Sequence, residues 1–147
     1  MADRDSESPP PITVLVVEDQ EVVRTMVTRL LWEEGYRTLE ARDGAEALHL
    51  AHLSLPYLDL VITDVMMPTM DGRELGRRLA QSCPDLPVLY ISAYFKGDVF
   101  HRDGLGTFTT FLHKPFSNDD LLEKVRGLLA ASPRRNAGHP PDRESAL

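Results

Sequence analysis

Leu58-Asp-Leu-Val-Ile-Thr-Asp64 is the stretch on which the fold turns. Its apolar residues run nearly without interruption and are bounded by polar ones. It is too short for a helix and too uniformly apolar for a strand with one wet face. Such a run reads as a strand over Leu58 to Thr63 buried on both faces, with Asp64 directly at its end. Ile12 to Val17 has the same character and ends on Glu18-Asp19. Pro87 to Ile91 is a third such run, ending on Ser92, and Thr109 to His113 a further one, ending on Lys114. Arg37 to Ala41 is a short, more polar strand.

Helical patterns fill the intervals. Between Glu21 and Glu34, Val22, Val23, Met26, Val27, Leu30 and Leu31 form one apolar stripe, and Gly35 stops the helix. Ala45 to Ser54 is a small helix before Pro56, and Asp71 to Gln81 carries Leu75 and Leu79 before Pro84. Ser117 caps a last helix whose stripe is Leu121, Leu122, Val125, Leu128 and Leu129. Gly97, Gly104 and Gly106 dilute the stretch from Tyr94 to Phe108, where a short helix is expected near Asp98 to Asp103. Five strands alternating with helices predict an α/β fold with a parallel sheet covered on both faces.

The flanks differ. Residues 1–11, with Pro9-Pro10-Pro11, have nothing to bury and read as a disordered leader, and residues 131–147 read as a disordered tail. One domain, residues 12–130, lies between them. No apolar run has the length of a bilayer span and the first residues lack a signal-peptide core, so a cytoplasmic location without membrane contact is expected. The single cysteine, Cys83, excludes an intramolecular disulfide, and a net charge of −7 argues against nucleic-acid binding. The five histidines show no metal-ligand spacing.

An open parallel sheet binds ligands outside the carboxyl ends of its strands. Glu18, Asp19, Asp64, Ser92 and Lys114 each follow a different apolar strand onto that edge, with Glu18 and Asp19 sharing the first. Three carboxylates in one place repel each other and call for a cation. A divalent, oxygen-seeking ion such as Mg²⁺ suits them, because it takes few carboxylates and keeps waters that a phosphate can replace. A carboxylate can then act as nucleophile and form an acyl phosphate, with Lys114 and Ser92 serving the phosphoryl oxygens. Asp59, Asp85 and Asp98 read instead as loop solvation.

Four segments together resemble one family over roughly Ile12 to Ala130: Val-Leu-Val-Val-Glu-Asp (14–19), Asp-Leu-Val-Ile-Thr-Asp-Val-Met-Met-Pro-Thr-Met-Asp-Gly (59–72), Pro-Val-Leu-Tyr-Ile-Ser-Ala (87–93) and Phe-Leu-His-Lys-Pro-Phe (111–116). Each is modestly specific, but all four in order are highly so. The chain is similar to the response-regulator receiver domain of two-component phosphorelay systems. The resemblance implies a flavodoxin-like, doubly wound five-stranded parallel sheet of order 2-1-3-4-5 with five flanking helices.

It also implies roles. Asp64 would be the phosphoacceptor, and Glu18, Asp19, Asp64 and the backbone carbonyl of Met66 would hold Mg²⁺, with Mn²⁺ as a substitute. Ser92 and Phe111 would form the switch, Lys114 would contact phosphate, and Lys114-Pro115 would be a cis peptide. A sensor histidine kinase or histidine phosphotransfer protein would be the donor, with an unidentified downstream protein as target. The fourth helix, fifth strand and fifth helix would be the surface for any homodimer. A stand-alone receiver, or the receiver part of a hybrid histidine kinase, is expected, with no DNA-binding output domain. Departures from the family's commonest pattern are Glu18 for aspartate and Phe111, which brings no phenol for a hydroxyl-based switch. Met66 and Tyr94, both bulky, are expected to hinder attacking water and prolong the phosphorylated state.

Two enzyme readings fit less well. Phosphatases of the haloacid dehalogenase type need an acid two residues after the nucleophile, where this chain has Met66, so no turnover of external substrate is expected. A dinucleotide site needs a glycine-rich turn after the first strand, where this chain has the acidic Asp19-Gln20-Glu21. A docking module that is never phosphorylated would have no need of the full acidic set.

Overall fold

The computed structural model describes residues 11–93 and 105–136. Five strands, β1 (Thr13–Val17), β2 (Arg37–Ala41), β3 (Leu58–Asp64), β4 (Val88–Ser92) and β5 (Thr109–His113), form one parallel sheet in the order β2-β1-β3-β4-β5. The helices among the described residues are α1 (Glu21–Glu33), α2 (Gly44–Ser54), α3 (Gly72–Ser82), α4 (Asn118–Ala131) and a single turn, α5 (Pro133–Asn136). The helix expected near Asp98 to Asp103 lies outside the described residues.

Alternation along the strands divides the core in two. Val14, Val16, Leu60, Ile62, Leu89 and Ile91 face α1 and α4, where Val27, Leu31, Leu121 and Val125 meet them. Leu15, Val17, Val61, Val88 and Tyr90 face α2 and α3, against Ala47, Ala51, Leu75 and Leu79. Every residue of β1, β3 and β4 is buried, which is why their hydrophobicity runs on without the period-two gaps of a half-wet sheet. The edge strand β2 is partly exposed and correspondingly polar.

Local signals set the helix ends. The Asp43 and Asp71 carboxylates accept from the backbone N–H groups of Glu46 and Glu74, and Ser117 forms a reciprocal capping box with Asp120. Gly35, at φ 91°, takes the left-handed conformation that ends α1.

Two expectations need correction. The chain does not lose structure from residue 131: α4 runs through Ala131, Ser132 is fully buried, and α5 follows. The cause is Arg134, whose guanidinium donates to the Leu55 and Leu58 carbonyls (2.7 and 3.1 Å) and to Cys83 Sγ, and pairs with Asp85. Nor is Asp59 a solvated loop acid. It is 1% exposed and accepts from the Thr13 N–H at 2.9 Å, where the β1–β3 register shifts and the side chain does the work of a ladder carbonyl. Asp85 is likewise engaged, by Arg134 and the Cys83 thiol, while Asp98 lies outside the described residues.

Candidate functional site

The sheet's hydrogen bonding continues one step past several strands and so aligns their ends. Glu18 N–H donates to Ala41 O, Val65 N–H to Ile91 O, and Lys114 N–H to Ser92 O. Asp64 therefore sits beside Ile91 at the carboxyl end of the two central strands, and Ser92, 1% exposed, lies one residue further along β4. A switch point in strand order falls at β1/β3, and the acidic residues gather there.

Glu18, Asp19 and Asp64 each bring a carboxylate oxygen to within 4.8 Å of the other two. Glu18 and Asp64 are buried and Asp19 is exposed, so the cluster is walled on one side and open on the other. Lys114 Nζ lies 3.5 Å from Asp64 Oδ2 and 3.7 Å from Glu18 Oε1. Lys114 thus pairs with two of the three carboxylates. Burial, reinforced by the Asp64 charge, pushes the Glu18 carboxyl up to about 7, against the opposing pull of the Gln20 N–H and of Lys114. A small hard cation fits this donor set: three carboxylate oxygens lie close together, and the exposed side leaves room for water or phosphate ligands.

The Lys114-Pro115 peptide is cis. Phe111 is half-buried on β5, opposite Tyr90, and the two rings stack with centroids 5.5 Å apart. Met66, two residues past Asp64, is 60% exposed, whereas Tyr94 lies outside the described residues. Beside Lys114, the side chains of Val23, Met26, Pro115 and Phe116 line an apolar groove of about 480 Å³.

Sequence reasoning passed over two residues at this site. Gly72 opens α3 so close to Asp64 that a Cβ there would collide with the Asp64 carbonyl oxygen. Its place at the head of a helix, directly after the Asp71 cap, was a usable signal. Arg24 is 8% exposed and donates to the Glu18 carbonyl oxygen at 2.8 Å. Nothing in its helical spacing separates it from a solvated arginine. The loop between β3 and α3 also holds Thr69 at φ 72°, a left-handed conformation that a β-branched residue adopts only under constraint.

The pattern described as the response regulator receiver domain matches residues 14–126. Response regulator MprA of Mycobacterium sp. (strain KMS) is 40% identical over 121 residues, which are 81% of this chain and 51% of that protein. Sensor kinase CckA of Brucella abortus is 39% identical over 118 residues, 80% of this chain but 12% of the kinase. The chain thus spans about half the length of the first relative and a small part of the second. Among solved structures, the Vibrio cholerae chemotaxis protein CheY4 superposes with a TM-score of 0.74 at 29% identity, covering 81% of this chain and 99% of that one.

Proposed function

Since this chain belongs to the response regulator receiver domain family of two-component signalling, we propose that it accepts a phosphoryl group on Asp64 from a phosphohistidine and so switches a surface that a downstream protein reads. The observation that carries this is the Asp64 carboxylate, buried at the end of β3 with Lys114 Nζ 3.5 Å away and two further carboxylates around it.

In the proposed transfer, an Asp64 oxygen attacks phosphorus as the P–N bond to the donor imidazole breaks. The bonding pair leaves with that nitrogen. Such a reaction needs alignment and charge neutralisation more than covalent machinery. The backbone tethers at Glu18, Val65 and Lys114 hold the groups in place beforehand. Lys114, already beside the nucleophile, exchanges its contact with Asp64 for one with a phosphoryl oxygen, and Ser92 donates its hydroxyl to another. Glu18, Asp19, Asp64 and the Met66 carbonyl would hold Mg²⁺ (or Mn²⁺), whose two positive charges offset those of the carboxylates and the incoming phosphoryl group. The apolar groove beside Lys114 gives a donor protein a place to rest against the site.

The new dianion would draw Ser92 and Lys114 toward it and bias Phe111, which is packed on Tyr90. Met66 stands where an aspartyl phosphatase needs its second acid, which favours storage of the phosphoryl group over turnover. A sensor kinase or phosphotransfer protein in the cytoplasm would be the donor. None of the helices among the described residues is long and apolar enough to cross a membrane. The same domain would serve as a stand-alone regulator or as the receiver of a hybrid kinase such as the CckA relative.

The test is incubation with Mg²⁺ and acetyl phosphate, followed by intact mass measurement. One added phosphoryl group, absent in Asp64→Asn, is expected. No adduct from acetyl phosphate or from histidine kinases would overturn the proposal, and sustained phosphate release from small esters would favour a phosphatase.

A further inference from the structure

Arg24 occupies an unusual place for an arginine on the first turns of a surface helix. Its side chain is 10% exposed and lies between the end of β1 and the edge strand β2. Nε donates to Glu40 Oε1 at 3.0 Å, and Nη1 donates to the main-chain carbonyl of Glu18 at 2.8 Å. The second of these contacts is the informative one. This guanidinium bridges a side chain on β2 to the peptide unit that links Glu18 to Asp19.

That peptide is where the chain leaves the sheet. The Glu18 N–H is bound to Ala41 O at 3.0 Å, and the Glu18 carbonyl is bound to Arg24. Both peptide groups flanking the Glu18 Cα are therefore tethered, one to β2 and one to α1. The carboxylate itself accepts from the Gln20 N–H at 3.1 Å and lies near Lys114. Asp19 is exposed, and the peptide before it is the one whose carbonyl Arg24 holds. Glu40 completes the device: by holding Nε, it aims the planar fork so that Nη1 meets the carbonyl.

We infer that Arg24, oriented by Glu40, is a positioning residue that presets Glu18 and Asp19 for a divalent cation. This rests on the proposed Mg²⁺-dependent phosphorylation of Asp64. Groups that orient metal ligands without touching the metal typically change affinity by about 10–100-fold when removed. Lysine at position 24 keeps the charge but cannot reach Glu40 and the carbonyl together.

The experiment is calorimetric titration of the whole chain with Mg²⁺ alone, backed by intact-mass phosphorylation with acetyl phosphate at saturating Mg²⁺. Arg24→Lys is expected to weaken Mg²⁺ binding about 10-fold or more while phosphorylation at saturating Mg²⁺ stays within about 3-fold of the parent, the split expected of a misplaced ligand shell. The half-exposed Glu40 provides a second pair of variants that should fold whatever Arg24→Lys does. Glu40→Gln still accepts from Nε and should bind Mg²⁺ nearly as the parent does; Glu40→Ala should bind several-fold more weakly. Equal losses in Glu40→Gln and Glu40→Ala would mean that only charge matters and would overturn the inference, as would parental affinity in Arg24→Lys. If the parent binds Mg²⁺ and is phosphorylated but no variant differs, this inference alone falls. If the parent does neither, the proposed function falls and takes this inference with it.

Discussion

Gly76, in the middle of α3, is where the packing around Tyr90 and Phe111 can be tested most sharply. A Cβ at this position would lie on top of the Tyr90 hydroxyl and 2.8 Å from the ring carbon that carries it. Tyr90 cannot step aside easily, being fully buried on β4 and stacked on Phe111. Alanine in a helix interior is ordinarily better than glycine by about 1 kcal/mol. Overpacking a filled core costs about 1–3 kcal/mol, and this overlap belongs at the upper end. Gly76→Ala should therefore destabilise the domain by about 2 kcal/mol, lowering its melting temperature by roughly 6–10 °C. Tyr90→Phe removes the colliding oxygen. In that background the ring carbon at 2.8 Å and Leu105 Cδ2 at 3.3 Å still oppose the helical gain, and Gly76→Ala should be about neutral. Urea unfolding of the four proteins in this cycle measures the difference. A neutral or stabilising Gly76→Ala in the parent, or the same loss in both backgrounds, would refute the packing argument.

The metal-free domain should become less stable as pH rises from 5 to 8. The folded Glu18 carboxyl titrates at about 7 rather than 4.5 and so binds more protons than the unfolded chain across that window, so its contribution is complete below 4.5 and lost through 7. The full displacement is worth about 3 kcal/mol at most; urea midpoints should show the slope, and Glu18→Gln should flatten it. Arg134→Ala strips a charged donor from the Leu55 and Leu58 carbonyls, and a loss of about 2–3 kcal/mol is expected by denaturant unfolding. Parental stability in that variant would show that α5 does not hold the domain's lower edge. Ser117→Ala removes the capping box of α4 and should cost about 1 kcal/mol in the same assay.

The legible part of this fold is the part governed by burial. β1, β3 and β4 are wet on neither face, so their apolar runs could be read directly, and the helices between them carry stripes that the sheet requires. The polar residues ending those strands could also be named, because parallel topology leaves them one common edge. Contacts that join a side chain to distant backbone were not legible. Asp59 substitutes for a ladder group at a register shift that no local pattern records. Arg134 lies in a Pro- and Arg-containing stretch with no apolar stripe, and its order comes from carbonyls more than seventy residues earlier in the chain. Arg24 resembles any helical surface arginine until the end of β1 is placed beside it.

The most direct measurement locates the phosphoryl group. After reaction with acetyl phosphate and Mg²⁺, borohydride reduction converts an aspartyl phosphate to homoserine, and tandem mass spectrometry of the digested chain places it. Homoserine at position 64 and at no other aspartate is expected, with none formed when Mg²⁺ is chelated. Homoserine at Asp19, Asp59 or Asp71, or phosphate retained only on serine, threonine or histidine, would contradict the assignment of Asp64 as the phosphoacceptor.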